Sequence, residues 1–170
     1  MHVFLWGYMG CGKSTIGKKI ATMLNCDFID TDKLIEANEN KTIDAIFETH
    51  GEEYFRSLEH LAIVEITKIK KNVVVATGGG LPCYNNNHQL MNESGCSVYI
   101  KLSAAALSHR ITHSKIQRPL LKNLTEEELL PHIAKQLQER EKYYNTAKII
   151  YDGIDVKILE LANIIKLNIG

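Results

Sequence analysis

Short apolar runs recur along the chain, separated by longer segments in which apolar residues follow a helical period. Five of these runs have the length of strands, at residues 3–6, 26–29, 73–76, 98–102 and 149–151. Continuous apolar strands that alternate with helices are typical of a parallel sheet covered on both faces. The pattern therefore predicts a single α/β domain over residues 1–170, with a five-stranded parallel sheet as the middle of three layers.

The segments between the strands carry signals for helix starts. Ser103 has the position of an N-cap, and Thr125 is followed three residues later by Glu128, the pattern of a capping box. Apolar residues at a 3.6-residue period mark the buried faces. We predict helices over residues 15–24, 33–38, 52–70 and 126–144, helix starts near Thr42 and Ala104, a helical connector at residues 84–91, and a last helix with Ile154, Ile158, Leu161, Ile164 and Ile165.

Composition and charge narrow the class of protein. The 170 residues have a formal net charge of zero, which gives no reason to expect nucleic-acid binding. No apolar run approaches the roughly 20 residues of a membrane span, and no leader pattern precedes the first strand, so no membrane association is expected. The four cysteines contain no C-x-x-C pair, which argues against zinc and a disulfide framework and favours a cytoplasmic protein.

The most specific motif is G-x-x-x-x-G-K-S at residues 7–14, between the first strand and the first helix. This is the pattern of a phosphate-binding P-loop, and a strand before it with a helix after it is the required setting. Its glycines let successive backbone amides turn toward a polyphosphate, Lys13 adds a positive charge, and the hydroxyl of Ser14 can bind Mg²⁺. The alternative is a flexible surface turn, which the flanking elements make much less favourable.

Acidic and glycine residues follow two other strands. Asp30 and Asp32 come at the end of the second strand, where they can hold Mg²⁺ or accept a proton; capping of the next helix explains one acid but not both. The third strand runs through Thr77 into residues 78–80, which are all glycine and allow a ligand to approach the backbone closely. Because Thr77 stands where P-loop enzymes often carry an acid, Asp30 is the candidate for the metal.

Basic residues are spread over the predicted helices and one loop. Arg56 and Glu59 lie three residues apart on a helix, a spacing that by itself is most often a solvated surface pair. Arg118 lies in a short basic loop that can close over a substrate as a lid. His109 and His113 have helical i, i+4 spacing, but without the acid of H-E-x-x-H they are interpreted as surface histidines.

With these residues assembled, the chain resembles the shikimate kinases over nearly its whole length. The matching pieces are the P-loop with Ser14-Thr15, Asp30-Thr31-Asp32, Phe55-Arg56-x-x-Glu59, Gly78-Gly79-Gly80, Leu107-x-x-Arg110, Arg118-Pro119-Leu120-Leu121 and Arg140-x-x-x-Tyr144. The resemblance implies a P-loop fold like that of the nucleoside monophosphate kinases, with a mobile lid at about residues 113–123 and a shikimate-binding region at about residues 32–60. It also implies phosphorylation of the 3-hydroxyl of shikimate by ATP with Mg²⁺, on the route to aromatic amino acids, by a monomer.

The resemblance assigns roles to individual residues. Phosphate binding falls to the loop and the start of its helix, at Gly10, Cys11, Gly12, Lys13, Ser14, Thr15, Ile16 and Gly17, with Arg110 against the adenine. Ser14 and Asp30 serve Mg²⁺, and Asp32 contacts the reacting hydroxyl. The shikimate carboxylate lies between Arg56 and Arg140, beside Gly78, Gly79 and Gly80, and Arg118 stabilises charge on the transferring phosphoryl group.

Three other functions remain open from the residues alone. A gluconate kinase also phosphorylates an acid with a carboxylate that arginines can bind. A GTPase-like switch is disfavoured. Such proteins recognise guanine with the motif N-K-x-D, and the most similar segment here, residues 40–44, places the acid one position too late. A non-catalytic nucleotide-binding module is disfavoured by the acids and arginines around the loop.

Overall fold

The computed structural model describes residues 2–114 and 124–169, which form one five-stranded sheet with helices packed against it. All four strand pairs are parallel, in the order β2-β3-β1-β4-β5. The strands are β1 (His2–Trp6), β2 (Asp27–Asp30), β3 (Val73–Ala76), β4 (Gly95–Lys101) and β5 (Ile149–Asp152). These strands confirm the five apolar runs and the predicted α/β class.

Seven α-helices and one 3₁₀ turn connect the strands in the described residues. They are α1 (Lys13–Leu24), α2 (Thr31–Glu39), α3 (Ile43–Thr67), the 3₁₀ turn Leu81–Cys83, α4 (Asn87–Ser94), α5 (Ala104–Thr112), α6 (Glu126–Tyr144) and α7 (Ile158–Leu167). Within this part of the chain, no helix is both long and apolar enough to cross a membrane.

The central strand β1 is completely buried, and its two faces contact different helices. A side-chain carbon at Gly17 of α1 would lie 3.1 Å from Leu5, so this glycine lets α1 approach one face closely. The indole of Trp6, the next residue, donates a hydrogen bond of 3.1 Å to the carbonyl of Tyr144 at the end of α6. Because successive strand residues point to opposite faces, α1 and α6 cover the sheet from opposite sides.

The caps that the sequence predicts are formed. The hydroxyl of Ser103 accepts a hydrogen bond from the amide of Ala106, and Thr125 and Glu128 make both hydrogen bonds of a capping box. Thr42 caps α3 by accepting from the amide of Ala45. Each cap supplies an acceptor for an amide that has no partner inside its helix, which fixes where the helix begins.

Helix α3 is broken at Gly51, whose φ of +81° lies outside the helical region. The chain turns there, and α2 and the first half of α3 pack on the second half. Their contacts form a small apolar cluster, separate from the sheet's core, whose buried members are Ile35, Ile46, Phe55 and Ala62. We call this the satellite cluster; it forms one wall of the cavity described below.

One predicted element is wrong at its start. Ile154 does not belong to the last helix, which begins at Ile158, and its side chain is 67% exposed. The carboxylate of Asp152 accepts a hydrogen bond from the amide of Ile154 and closes a turn around Gly153. The helical period of apolar residues reaches back to Ile154 in the sequence. An aspartate followed by glycine favours a turn, however, and the turn is what forms.

Candidate active site

The carboxyl ends of β1, β2 and β3 open into one cavity of about 480 Å³. The strand ends are level, because Ala76 pairs with both Leu5 and Asp30. The loops that follow them carry the P-loop, the two predicted acids and the three glycines to this edge of the sheet, as expected for a parallel α/β protein. Helices α3 and α6 add Arg56 and Arg140 to the cavity wall.

The P-loop wraps around its own lysine. Gly10 and Gly12 have φ values of +84° and +98°, which side chains rarely allow, and Gly12 directly precedes α1. Lys13 is 8% exposed, and its ammonium donates hydrogen bonds to the carbonyls of Gly7 at 2.8 Å and Tyr8 at 3.0 Å. The positive charge is thus held inside the loop at the N-terminal end of a helix, a setting that attracts anions.

Ser14 and Asp30 lie together beside the loop. The Ser14 hydroxyl donates a 2.6 Å hydrogen bond to Oδ2 of Asp30, while Oδ1 of Asp30 accepts from the amides of Asp32 and Lys33. Asp30 therefore caps α2 and still presents an oxygen to Ser14. A hydroxyl and a carboxylate next to a phosphate loop form a donor set that fits Mg²⁺. Thr77, where an acid is often found, is instead buried and donates to the carbonyl of Leu5.

Asp32 faces the cavity from the first turn of α2. Its Oδ1 is buried and has no hydrogen-bond partner in the described part of the chain. Burial, together with the charge of Asp30, raises the pKa of Asp32 to about 6, and Lys13 opposes this shift. A side-chain carbon at Gly78 would lie 2.7 Å from Oδ1, so the glycine turn packs directly on this carboxyl. The hydroxyl of Thr31 accepts from the amide of Gly78 and holds the turn there.

Arg56 is held by three side chains. Its guanidinium forms ion pairs with Glu59 at 2.6 Å and Glu52 at 2.9 Å, and it stacks over the ring of Tyr84 with 4.1 Å from Cζ to the ring centroid. Glu59 is only 1% exposed, so this pair is buried, unlike most pairs with this spacing. Burial raises the pKa of Glu59 to about 7, although Arg56 pulls it downward.

Whereas Arg56 lines the cavity from α3, Arg140 lines it from α6. Its Nη1 is buried without a hydrogen-bond partner among the described residues, and its Cζ lies 5.3 Å from the centroid of the Tyr8 ring. The hydroxyl of Tyr144, one turn further along α6, donates to the carbonyl of Gly79. A side-chain carbon at Gly79 would lie 3.6 Å from Nη1 of Arg140, and one at Gly80 would lie 2.7 Å from Nη1 of Arg56. Both arginines therefore border the glycine turn.

The remaining predicted residues lie at different depths. Arg110 links the P-loop to the turn after β5, because it donates to the carbonyls of Cys11 at 3.2 Å and Gly153 at 2.8 Å. Ile16 and Gly17 are buried below the loop, whereas Thr15 is exposed.

Arg118 and most of the predicted lid lie outside the described residues. His109 and His113 stack on each other at the surface, and the described residues contain no group of three potential metal ligands.

Sequence reasoning misses two side chains that hold Arg56 in place. Tyr84 was expected only in a polar connector, yet its ring covers Arg56 and its hydroxyl donates to Glu52 at 3.2 Å. Glu52 was expected only as the start of a helix. The i, i+4 spacing of Glu52 and Arg56 predicts an ion pair between them. The spacing does not indicate that Arg56 lines a cavity.

Comparisons with known proteins agree with this geometry. A family model described as shikimate kinase matches residues 9–165. The shikimate kinase of Flavobacterium johnsoniae is 43% identical over 168 residues, which cover 96% of this chain and 98% of that protein. The match therefore extends over both the P-loop and the helices that carry the two arginines.

Solved structures give the same result. The crystal structure of shikimate kinase from Bacteroides thetaiotaomicron matches with a TM-score of 0.90 and 35% identity, covering 99% of this chain and 97% of that chain. Shikimate kinase from Acinetobacter baumannii, solved in complex with shikimate, matches with a TM-score of 0.84 and 32% identity over 98% and 91% of the two chains. The chain therefore belongs to the shikimate kinase family, the enzymes that use ATP to phosphorylate shikimate in the shikimate pathway.

Proposed function

We propose that this chain transfers the γ-phosphoryl group of ATP to the 3-hydroxyl of shikimate, with the carboxylate of shikimate between Arg56 and Arg140. The observation that carries this assignment is a pair of buried polar atoms without described partners, Oδ1 of Asp32 and Nη1 of Arg140, on the wall of one cavity. Buried polar groups are normally hydrogen-bonded, so an acceptor and a donor left open here mark places for ligand atoms. A hydroxyl satisfies the first and a carboxylate the second.

In this proposal Asp32 orients the acceptor hydroxyl and takes its proton. The raised pKa of its carboxyl, about 6, makes it a better base than an exposed aspartate while it stays mostly ionised at neutral pH. Phosphoryl transfer needs only a weak base at its start, so the proton of the acceptor hydroxyl moves to Oδ1 of Asp32 late in the reaction. The glycine turn supports this role because Gly78 packs against the same oxygen.

The P-loop supplies positive charge for the phosphates. Its amides and Lys13 bind the β- and γ-phosphoryl oxygens, and Lys13 exchanges its two carbonyl partners for them. Ser14 and Asp30 are the residues that would hold Mg²⁺, with Asp30 acting through water. When bound, the ion neutralises phosphate charge as a Lewis acid. Positioning and charge neutralisation supply most of the catalysis in such transfers.

The finer assignments rest on family resemblance. Arg118, from the lid, stabilises charge on the transferring group, and Arg110 lies against the adenine, a role that its bond to the Gly153 carbonyl supports. The protein works as a monomer. Its compartment is the cytoplasm, where cysteines are kept reduced, and all four of its cysteines are free thiols.

Release of ADP tests the proposed function directly. We expect a coupled assay with ATP and Mg²⁺ to show rapid ADP release with shikimate and only background release with gluconate or with no acceptor. The product should be shikimate 3-phosphate, identified by phosphorus-31 NMR. Equal or faster release with gluconate would reject the acceptor assigned here, and ADP release independent of any acceptor would reject kinase activity on small acids.

Gly80 gives a test of the carboxylate site that leaves its charges in place. Its backbone is in the right-handed helical region, where alanine is allowed, but the new methyl carbon would lie 2.7 Å from Nη1 of Arg56. We therefore expect Gly80→Ala to displace the guanidinium and raise KM for shikimate about tenfold or more, with little change in KM for ATP. Steady-state kinetics measure both constants. An unchanged KM for shikimate would mean that Arg56 does not bind it.

A further inference from the structure

Tyr8 is an unusual residue in the P-loop because it is almost completely buried. It lies between Gly7 and Met9, and only 1% of its surface is exposed. Phosphates are bound by the loop's amides and by Lys13, so phosphate binding gives no reason for a large aromatic side chain here. Its side chain contacts α6, the helix that carries Arg140.

Two contacts join Tyr8 to α6. The Tyr8 hydroxyl donates a 2.6 Å hydrogen bond to Oε1 of Gln136, and the guanidinium carbon of Arg140 lies 5.3 Å from the Tyr8 ring centroid. Gln136 and Arg140 are four residues apart and share one face of the helix. Arg140 is within the range of a cation–π interaction, which is strongest where both groups are removed from water. The guanidinium also has a side-chain hydrogen bond with Tyr144, and its Nη1 has no hydrogen-bond partner in the described part of the chain. The Tyr8 ring is therefore the aromatic face against which this partly held guanidinium is oriented.

The backbone on both sides of Tyr8 also touches the acceptor site. A side-chain carbon at Gly79 would lie 3.3 Å from the amide nitrogen of Met9 and 3.5 Å from the carbonyl oxygen of Gly7. The same carbon would lie 3.6 Å from Nη1 of Arg140. The backbone of the phosphate loop and Nη1 of Arg140 thus both lie beside Gly79.

We propose that Tyr8 is a positioning residue for the acceptor: its ring holds Arg140 in the orientation that binds the carboxylate of shikimate. This inference rests on the proposed function, since it assumes that Arg140 binds this carboxylate. It gives the P-loop a second role, because one of its side chains determines how the acceptor is bound. A buried aromatic residue that only fills space would affect stability and both substrates without regard to the carboxylate.

The test compares shikimate with its carboxamide in four proteins: wild type, Tyr8→Leu, Tyr8→Phe and Arg140→Ala. Tyr8→Leu removes the ring face and keeps an apolar side chain, whereas Tyr8→Phe keeps the ring and loses only the bond to Gln136. We expect Tyr8→Leu to lower kcat/KM for shikimate about five- to thirtyfold and for the carboxamide less than about twofold. Tyr8→Phe should lie within about threefold of wild type on both substrates. KM for ATP should change little in either variant.

Each outcome separates the inference from the function beneath it. Equal losses on the acid and the amide in Tyr8→Leu, or no loss on either, overturn the positioning role when Arg140→Ala still discriminates between the two substrates. If Arg140→Ala loses equally on both, the proposed carboxylate site is wrong, and the inference fails with it. Tyr8→Met replaces Tyr8→Leu if the leucine variant does not fold, since methionine also lacks a ring face but adapts to irregular space.

Discussion

Replacing Lys13 by alanine is expected to lower kcat by about 10²–10³-fold while the protein remains folded. The ammonium lies inside the P-loop, where its charge meets the phosphoryl oxygens on which negative charge changes during transfer. Alanine cannot replace it, and the site is too enclosed for solvent cations to substitute fully. Steady-state kinetics with saturating ATP and shikimate measure this loss.

The stability of the same variant must be measured beside its kinetics. Lys13→Ala removes the two hydrogen bonds to the carbonyls of Gly7 and Tyr8, which is expected to cost about 1–3 kcal/mol and lower Tm by several degrees. Lys19→Ala is the matched control, because Lys19 lies on the same helix but is exposed. It should retain wild-type kcat. A folded Lys13→Ala protein with near-normal kcat would refute the assignment of the phosphate site.

The second large effect is expected at Arg56, where charge and geometry can be separated. We expect Arg56→Ala to lower kcat/KM for shikimate at least tenfold, since a charge-assisted hydrogen bond in a partly desolvated site contributes about 1.5–3 kcal/mol. Arg56→Lys should lose nearly as much, because an ammonium cannot reproduce the planar fork of the guanidinium. The carboxamide of shikimate should be insensitive to both changes. Equal losses on acid and amide would show that Arg56 does not recognise the carboxylate.

The buried carboxyl of Glu59 adds a pH-dependent loss of stability to the Arg56→Ala variant. Arg56→Ala leaves a buried carboxyl without its ion-pair partner, so its pKa rises above the value of about 7 that it has beside Arg56. A raised folded-state pKa means that the folded protein keeps a proton that the unfolded chain loses near its ordinary value of 4.5. Stability therefore falls as pH rises toward the folded-state pKa, and the deficit of Arg56→Ala against wild type should grow above pH 7. The double variant Arg56→Ala with Glu59→Gln removes this term, and its kinetics report carboxylate binding alone.

Local patterns in the sequence predict most of the fold. Buried strands are recognisable as continuous apolar runs, and Ser103 and Thr125 mark helix starts because each supplies an acceptor for a free amide. The same reasoning places the P-loop, since its chemistry lies within eight consecutive residues, numbers 7–14. Local patterns fail where a turn competes with a helical period, as at Ile154.

The acceptor site could not be predicted from local patterns. Arg56 and Arg140 are separated by most of the chain, and no period relates residues on α3 to residues on α6; only the family resemblance brought them together. The burial of Glu59 has the same origin, because neighbouring elements cover a helix face that would otherwise be solvated. The role of Tyr8 is equally hidden from local patterns, since its contact with Arg140 is also long-range.

The satellite cluster, finally, gives the acceptor wall buried packing of its own beside the core of the sheet. The buried side chains around Ile46 and Phe55 are packed apart from those of the sheet, so a substitution among them disturbs the acceptor wall and leaves the core under the P-loop intact. Packing defects are felt mainly by the residues in direct contact, which for this cluster belong to α2 and α3. We therefore expect a library of substitutions in the satellite cluster to change acceptor preference more readily than ATP binding, which makes this wall the place to begin redesign.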